Sequence, residues 1–305
     1  MTIDQTCMQA RTLGAEEAYE ACEKITSEQA RNFSYGIRLL PAEKRRAMCA
    51  LYAMARRIDD IGDGSAATHE KLRSLAEVRK SISDLSQDPS SGGSDPVLVA
   101  LADAAARFPL PMDALVELIE GCEMDVNGVG YRTFDDLVGY CRRVAGTVGR
   151  LSLAVYGTKA TADREKAESL ADSLGVALQI TNILRDIVED LETMGRIYLP
   201  ADDRNRFGVP SDVQSWTDLQ GGEDGITALI RFEAARARTC YAEGLQLLPM
   251  LDWRSRACTA AMAGIYRRLL DRIEAEPDSV LRGRISLSGS QKARVAVRAL
   301  TRGTV

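Results

Sequence analysis

Apolar residues recur every three or four positions along most of the chain, a spacing that places them on one face of an α-helix. Runs in which apolar and polar residues alternate, as they do in a half-buried strand, are not found. Helices are predicted over 16–31, 42–61, 68–85, 96–107, 112–126, 133–156, 163–191, 226–248, 254–276 and 291–300. This pattern predicts an all-α protein whose helices surround a central cavity.

Stretches poor in apolar residues are confined to 86–95 and 217–225, which we interpret as surface loops between helices. No internal repeat is present. The chain of 305 residues is therefore expected to form a single domain over 1–305, with about 1–25 and 301–305 peripheral or flexible.

The predicted helix 163–191 carries one narrow polar stripe on an otherwise apolar surface. At about 100° per residue the members of the stripe fall within roughly 80° of one another. They are Gln179, Asn182, Asp186 and Asp190. Because the stripe contains no Lys or His, a divalent cation held by oxygen ligands is the most favourable partner for its buried carboxylates. A solvated acidic helix face is the alternative.

A second acidic motif lies at the end of the predicted helix 42–61. Tyr52, Arg56, Asp59 and Asp63 share an arc of about 60° on the helix surface. Aspartates in a last turn are destabilised by the negative end of the helix dipole unless positive charge lies nearby. Two helices that each carry an Asp-x-x-x-Asp pair can hold Mg²⁺ between them together with a diphosphate. The predicted metal ligands are Asp59, Asp63, Asn182, Asp186 and Asp190.

Composition excludes several other classes. The net charge is −5 and the basic residues are scattered, which argues against nucleic acid as a partner. His69 is the one histidine, so His-dependent nucleophilic catalysis and His metal sites are excluded. The seven cysteines form no C-x-x-C motif, and several lie in apolar helical runs, so we expect reduced core residues.

Five sequence blocks together resemble the squalene and phytoene synthase family, the head-to-head prenyl transferases, from about Ala30 to Arg284. They are NFSYGIRLLP at 32–41, YAMARRIDDIGD at 52–63, YCRRVAGTVG at 140–149, QITNILRDIVED at 179–190 and GRIYLP at 195–200. The resemblance implies an isoprenoid synthase fold, prenyl diphosphate substrates, and two or three Mg²⁺ ions bound with diphosphate.

The resemblance also implies roles for particular residues. The implied catalytic residues are Tyr140, Asp59, Asp63, Asp186 and Asp190, with Tyr140 projecting into the cavity to stabilise a carbocation. The implied substrate-binding residues are Tyr52, Arg56, Gln179, Asn182, Arg196, Tyr266, Arg284, Ser34 and Arg31. Arg196 belongs to a flap at 195–200. Near the end of the chain either Arg284 or Arg282 is expected to contact the diphosphate, since the alignment leaves both open.

Other residues of the family blocks have a structural interpretation. Arg57 and Arg185 are expected to form ion pairs with the site carboxylates. Small residues interrupt the apolar helix 133–156 at Ala145, Gly146, Gly149 and Ala154. They indicate either tight helix packing or the floor of a cavity for a prenyl chain, and both interpretations stay open.

Residues 59–64 most resemble the bacterial presqualene diphosphate synthases of hopanoid pathways. We therefore expect Mg²⁺-dependent condensation of two farnesyl diphosphates to presqualene diphosphate. The alternative is a phytoene or dehydrosqualene synthase of carotenoid biosynthesis. A non-catalytic relative acting as a binding or assembly protein is less favoured because both Asp pairs are intact. A class I terpene cyclase would share the metal chemistry without the Tyr140 and Gln179 blocks.

No segment resembles a dinucleotide site, so no NADPH is expected. The first residues lack the features of a signal peptide, and no window of 18 apolar residues predicts a transmembrane segment. We expect a cytoplasmic protein, and peripheral association with a membrane during product release is left open.

Overall fold

The computed structural model describes residues 13–30, 32–210, 213, 215–216 and 223–305, with the backbone alone at 223 and 224. Arg31 and Cys7 lie outside these residues, as does most of the predicted loop at 217–225. The described residues contain helices and no strand, which confirms the all-α prediction. The α-helices are α1 Ala15–Gln29, α2 Phe33–Ile37, α3 Ala42–Asp63, α4 Thr68–Gln87, α5 Pro96–Arg107, α6 Met112–Val126, α7 Phe134–Cys141, α8 Thr147–Tyr156, α9 Arg164–Arg185, α10 Ile187–Glu192, α11 Ala201–Arg206, α12 Glu223–Gly244, α13 Trp253–Ala275, α14 Asp278–Leu281 and α15 Gly289–Arg302.

Two long helices predicted from the sequence are interrupted. The predicted helix 133–156 is divided into α7 and α8 by a π-helical turn at Arg142–Gly146. The predicted helix 163–191 ends as α9 at Arg185 and restarts as α10, because Asp186 leaves helical geometry with φ −103° and ψ 12°. Breaks of this kind inside helices are frequent at functional sites. Both fall in sequence blocks that resemble the prenyl transferases.

Helix α9 packs so closely on its neighbours that glycine is required at the contacts. A Cβ atom on Gly175 would lie 2.4 Å from the carbonyl oxygen of Ala145, and one on Gly149 would lie 2.5 Å from that of Ala171. The small residues of this region therefore serve tight packing between α9, α8 and the π-helical turn. Ala145 and Gly149 also line a large cavity beside α9, so the packing and the cavity-floor interpretations both hold for them. Ala154 does not line this cavity.

Two large apolar clusters build the body of the molecule. One is centred on α1, α3, α5, α6 and α8, and the other on α7, α9, α12 and α13. The six described cysteines carry free thiols, as expected, and five of them are buried. Within the described ranges, no helix is both long enough and apolar enough to cross a bilayer.

Candidate functional site

A cavity of about 800 Å³ lies between α3, α8, α9 and α13. Along α3 its lining changes from Met48 and Leu51 to Arg56 and Asp59. Along α9 it changes in the same sense, from apolar residues near Ala171 to the polar side chains that precede Asp186. The rise of about 1.5 Å per residue gives a lining roughly 16 Å long on α3 and 21 Å long on α9. On each helix the cavity lining is therefore apolar at one end and charged at the other.

The charged ends of α3 and α10 meet at Arg196. Its Nη1 atom donates a hydrogen bond to Asp63 Oδ1 at 2.9 Å. Burial raises the pKa of Asp190, and the positive charge of Arg196 opposes that increase. The backbone N–H of Arg196 also donates a hydrogen bond to the Asp190 carbonyl oxygen at 2.8 Å. The two acidic motifs, which are more than 120 residues apart in the chain, therefore lie at one end of the cavity.

Asp59 is open to the cavity, and no cation among the described residues forms an ion pair with it. Its neighbour Arg56 forms an ion pair with Asp60 instead, with Nη2 to Oδ1 at 2.5 Å. The surrounding protein removes water from the Asp59 carboxyl group, and the nearby Asp63 and Asp125 carboxylates add repulsion. Together these effects raise the pKa of Asp59 to about 7.

Asp190 has a similar environment on the opposite side of the site. Burial, followed by repulsion from Asp186, raises the pKa of Asp190 to about 8. Asp186 itself is paired: Arg185 donates to it from Nε at 2.8 Å, and Arg284 Nε lies 3.0 Å from its Oδ1. Arginines of other segments and of the neighbouring position therefore bring positive charge to Asp63 and Asp186.

Asn182 presents an oxygen without a partner. Its Oδ1 atom is buried and accepts no hydrogen bond, while its Nδ2 donates to Gln179 Oε1 at 3.4 Å. Leaving such an atom unpaired is unfavourable, so it marks a position suited to a ligand. Asp59 and Asp190 form no ion pair with any described residue. Together with Asn182 Oδ1, their carboxylates form a set of oxygen donors of the kind that Mg²⁺ prefers.

The described residues contain no group of three or more Asp, Glu, His or Cys side chains close enough to hold a metal ion. Mg²⁺ is commonly bound by one or two carboxylates, with water and substrate phosphate completing its coordination. Carboxylates spread over two facing elements fit that arrangement. The donor set is therefore compatible with Mg²⁺ that binds together with a diphosphate.

Sequence reasoning missed Asp125, in the last turn of α6. Its two oxygens accept hydrogen bonds from Tyr140 at 2.8 Å and from Tyr198 at 2.9 Å. Burial raises the pKa of Asp125, and the charge of Arg196 opposes that rise. The helix-dipole argument applied to Asp59 and Asp63 also holds for a carboxylate at the end of α6, and it could have identified this residue.

Tyr140 is placed differently from its expected position. Its side chain is only 2% exposed and does not line the cavity. The ring stacks on that of Tyr198, with centroids 5.2 Å apart, and lies 5.3 Å from that of Tyr131. Burial raises the pKa of Tyr140 well above its ordinary value, so the hydroxyl stays protonated and donates to Asp125. The expectation that Tyr140 projects into the cavity was wrong in this structure.

Most of the other predicted binding residues lie at the cavity. Its lining includes Tyr52, Arg56, Gln179, Asn182, Tyr266 and Arg284. Ser34 does not line it, although its neighbours Asn32 and Phe33 do. Arg284 also donates to Glu189 at 3.1 Å, whereas Arg282 is exposed and away from the lining.

The two arginines expected to pair with the site carboxylates behave differently. Arg185 does pair with Asp186, as predicted. Arg57 makes a bidentate contact with Asp95, with both N–O distances 2.8 Å. It therefore anchors the start of α5 to α3 and does not contact an acidic motif.

Comparison with known proteins places this geometry in one family. The family model for squalene/phytoene synthase matches residues 26–291. A phytoene synthase of Mycobacterium tuberculosis is 52% identical over 285 residues, covering 93% of this chain and 91% of the relative. A phytoene synthase of Arthrospira platensis is 38% identical, covering 85% of this chain and 84% of the relative.

Solved structures show the same fold. A dehydrosqualene synthase superposes with a TM-score of 0.81 at 27% identity, covering 93% of this chain and 95% of the other. A squalene synthase of Alicyclobacillus acidocaldarius superposes with a TM-score of 0.75 at 28% identity, covering 89% of this chain and 97% of the other. The all-α isoprenoid synthase fold is thereby confirmed, and the chain belongs to the squalene/phytoene synthase family of prenyltransferases.

Proposed function

We propose that this protein is a phytoene synthase, which joins two molecules of geranylgeranyl diphosphate head to head. The observation that carries the proposal is the 52% identity, over 93% of the chain, to a protein named phytoene synthase. The relatives named dehydrosqualene and squalene synthase are only 27% and 28% identical. The comparisons therefore favour the alternative reaction over the expected condensation of farnesyl diphosphate to presqualene diphosphate.

The acidic motifs could not distinguish these reactions. Donors of fifteen and twenty carbons carry the same diphosphate head, so the residues that bind the head are the same for both. Discrimination depends on the apolar part of the cavity, which is lined by residues such as Met48, Leu151, Tyr156 and Leu247. Residues 59–64, which resemble those of presqualene diphosphate synthases, belong to the part of the site that would bind the diphosphate. Their resemblance therefore does not indicate the length of the prenyl chain.

In this proposal Asp59 and Asp63 on α3 would hold Mg²⁺ on one side of the diphosphate. Asn182, Asp186 and Asp190 would hold it on the other. When bound, the metal supplies positive charge that makes the diphosphate a better leaving group. Two ion pairs seen in this structure, Arg196 with Asp63 and Arg284 with Asp186, leave these arginines close enough to exchange a carboxylate for a phosphate oxygen.

The apolar part of the cavity protects the allylic cation that forms when the first diphosphate leaves. The double bond of the second substrate attacks this cation, and loss of a proton closes a cyclopropane ring that still carries one diphosphate. Departure of that second diphosphate, rearrangement of the ring and loss of a second proton then give phytoene. Water would quench the cation, so the lining must exclude it. Aromatic rings of Tyr52, Phe33 and Tyr266 lie in sequence along the wall, with centroids 6.5 Å and 5.7 Å apart. Their faces can stabilise positive charge without reacting with it.

The deciding experiment offers the enzyme each donor separately with Mg²⁺ and analyses the products by mass spectrometry after phosphatase treatment. Phytoene from geranylgeranyl diphosphate is expected. Presqualene alcohol from farnesyl diphosphate, with no product from geranylgeranyl diphosphate, would overturn the proposal. Addition of NADPH is expected to change neither rate nor product, and squalene formed only with NADPH would contradict this.

A further inference from the structure

A second cavity adjoins the segment 195–198, and the proposed reaction does not use it. Its volume is about 420 Å³, within the range of roughly 300–1,000 Å³ that is usual for small-molecule sites. Its walls come from the end of α6, the loop 128–132, the segment 195–198 and α11. The described residues that line it are all different from those that line the main cavity. It is therefore a separate candidate site.

Backbone hydrogen bonds hold two walls of the second cavity together. The N–H of Ala201, at the start of α11, donates to the carbonyl oxygen of Tyr131 at 2.9 Å. The next N–H, of Asp202, donates to the carbonyl oxygen of Arg132 at 3.0 Å. The loop 128–132 and α11 are therefore fixed relative to each other, and a ligand would find these walls already formed.

The second cavity carries an excess of positive charge, although the whole chain has a net charge of −5. Three arginines line it, namely Arg132, Arg196 and Arg204. Among the described lining residues Asp125 is the single acid, and its oxygens already accept hydrogen bonds from Tyr140 and Tyr198. Several arginines that converge on one cavity are the usual means of binding a phosphate group. The charge of the lining therefore favours an anionic ligand.

Two lining residues carry polar groups that an anion would stabilise. Tyr131 is 4% exposed, and its hydroxyl is buried and makes no hydrogen bond. Burial and the Asp125 carboxylate raise the pKa of this hydroxyl, and the charge of Arg196 opposes that rise, so the hydroxyl lies in the field of both groups. Burial lowers the pKa of Arg204. A nearby anion would favour the charged form of the guanidinium and accept from a hydroxyl donor.

Arg196 connects the second cavity with the acidic motifs. It lines the second cavity, while its Nη1 donates to Asp63 Oδ1 at 2.9 Å and its Nη2 to the carbonyl oxygen of Gly62 at 3.4 Å. Its backbone N–H is held by the carbonyl oxygen of Asp190 at 2.8 Å, so rotation of the side chain alone can change its partner. One guanidinium can therefore serve an anion at the acidic motifs and an anion in the second cavity.

We propose that the second cavity is an anion site that receives inorganic diphosphate as this leaving group departs from the acidic motifs. Arg196 exchanges Asp63 for the diphosphate, and Arg132 and Arg204 complete its contacts. The identity of the ligand rests on the proposed function, because the proposed reaction is what releases diphosphate. Removal of the anion to a separate cavity frees the acidic motifs and keeps the leaving group away from the carbocation, with which it could recombine.

Isothermal titration calorimetry of the full chain with sodium diphosphate in EDTA tests the site directly. Without Mg²⁺ the carboxylates of the acidic motifs repel diphosphate, so binding is expected at the arginines of the second cavity. Arg132→Gln removes one charge-assisted contact and is expected to raise the Kd about tenfold, whereas Arg132→Lys keeps the charge and should raise it less. Arg132 is exposed, so its replacement should leave the melting temperature nearly unchanged. The matched control is Arg73→Gln on α4, an exposed arginine elsewhere, whose Kd should equal that of the wild type.

Wild-type protein that does not bind diphosphate in EDTA, or an Arg132→Gln variant that binds it as well as the control, would overturn the proposal. Inorganic phosphate, which carries less charge and spans fewer arginines, is expected to bind at least about tenfold more weakly. Equal affinity for phosphate would make this a general anion site and overturn its assignment to the leaving group. The titration contains no prenyl substrate, so its result is independent of which product the enzyme forms.

A kinetic experiment tests the same site during turnover. With Mg²⁺ in excess and prenyl diphosphate saturating, added inorganic diphosphate is expected to lower kcat, because the second cavity is separate from the substrate. The concentration needed should rise about tenfold in Arg132→Gln, in parallel with the Kd. Inhibition that saturating prenyl diphosphate abolishes would place the added diphosphate in the main cavity and overturn the proposal.

Discussion

Arg196 donates a 2.9 Å hydrogen bond to Asp63 and thereby ties the loop after α10 to the last turn of α3. Its Nη2 also reaches the carbonyl oxygen of Gly62 at 3.4 Å. The same guanidinium opposes the rise in pKa of Asp125 on α6 and of Asp190 on α10. One cation therefore balances acidic groups from three helices, and it lies where a substrate diphosphate would need positive charge.

Replacing Arg196 with alanine is expected to move the acidic limb of the pH–rate profile to higher pH. Loss of the cation raises the carboxyl pKa values further, so a higher pH is needed to reach the ionised form that holds metal. Arg196→Lys keeps the charge and is expected to leave the limb close to its wild-type position. Profiles of kcat/KM for the three proteins measure the shift. An Arg196→Ala profile that overlays the wild type would show that Arg196 does not set these pKa values.

Asp59→Ala and Asp186→Ala are each expected to lower kcat at least about a hundredfold, because each removes a principal electrostatic stabiliser of the departing diphosphate. Asp60→Ala is the matched control, since Asp60 belongs to the same motif but pairs with Arg56. It is expected to cost no more than a few fold. Turnover should also vanish with EDTA and return with Mg²⁺. Near-normal activity of Asp59→Ala in EDTA would remove the metal site from the proposal.

In the Asp190→Asn variant the free energy of unfolding is expected to fall less between about pH 4 and pH 8 than it does in the wild type. The pKa of Asp190 is raised to about 8, so in this window the folded state holds a proton that the unfolded state releases. Stability from this group is therefore greatest at low pH and falls as pH rises. At pH 8 without Mg²⁺ the variant should melt at least about 2 °C above the wild type. Melting curves from pH 5 to pH 9 measure this, and parallel curves for the two proteins would contradict the assignment.

The periodic part of the fold could be predicted from the sequence. The predicted helices at 96–107 and 112–126 agree with α5 and α6 to the residue, because strong apolar periodicity is bounded there by Pro96 and by Pro111. The short helices α2, α11 and α14 have too few turns to show a period and were not predicted. The break at Asp186 was also missed, since Arg284, almost a hundred residues away, contributes to holding that side chain.

The sequence predicted those residues of the candidate site that share one face of a single helix. Spacing alone brought together Tyr52, Arg56 and Asp59, and likewise Gln179 and Asn182, all of which line the cavity. Contacts between distant segments were not visible in the pattern. Tyr140 on α7 donates a hydrogen bond to Asp125 on α6, and this contact depends on how the two helices pack. Likewise, Arg57 pairs with Asp95 because the start of α5 packs against α3.

Gly175→Ala is expected to destabilise the protein by about 1–3 kcal/mol, because its Cβ would lie 2.4 Å from the Ala145 carbonyl oxygen and would force α9 away from the π-helical turn. Gly130→Ala is the control, since a Cβ there meets nothing within 4 Å. Urea denaturation gives both free energies of unfolding. Equal values for the two variants would show that α9 does not pack this closely.

Met48→Trp is expected to shift donor preference from twenty to fifteen carbons. Met48 is the first residue of α3 in the cavity lining and lies roughly 16 Å along the helix from Asp59, where the last isoprene unit of a longer donor would lie. Excluding that unit forfeits the burial of up to five carbons at about 0.8 kcal/mol each, a difference of a few kcal/mol. The ratio of kcat/KM for geranylgeranyl over farnesyl diphosphate should therefore fall at least about tenfold. Met48→Leu conserves volume and should leave the ratio nearly unchanged. A Met48→Trp enzyme that keeps the wild-type ratio while losing activity on both donors would place the end of the prenyl chain elsewhere in the cavity.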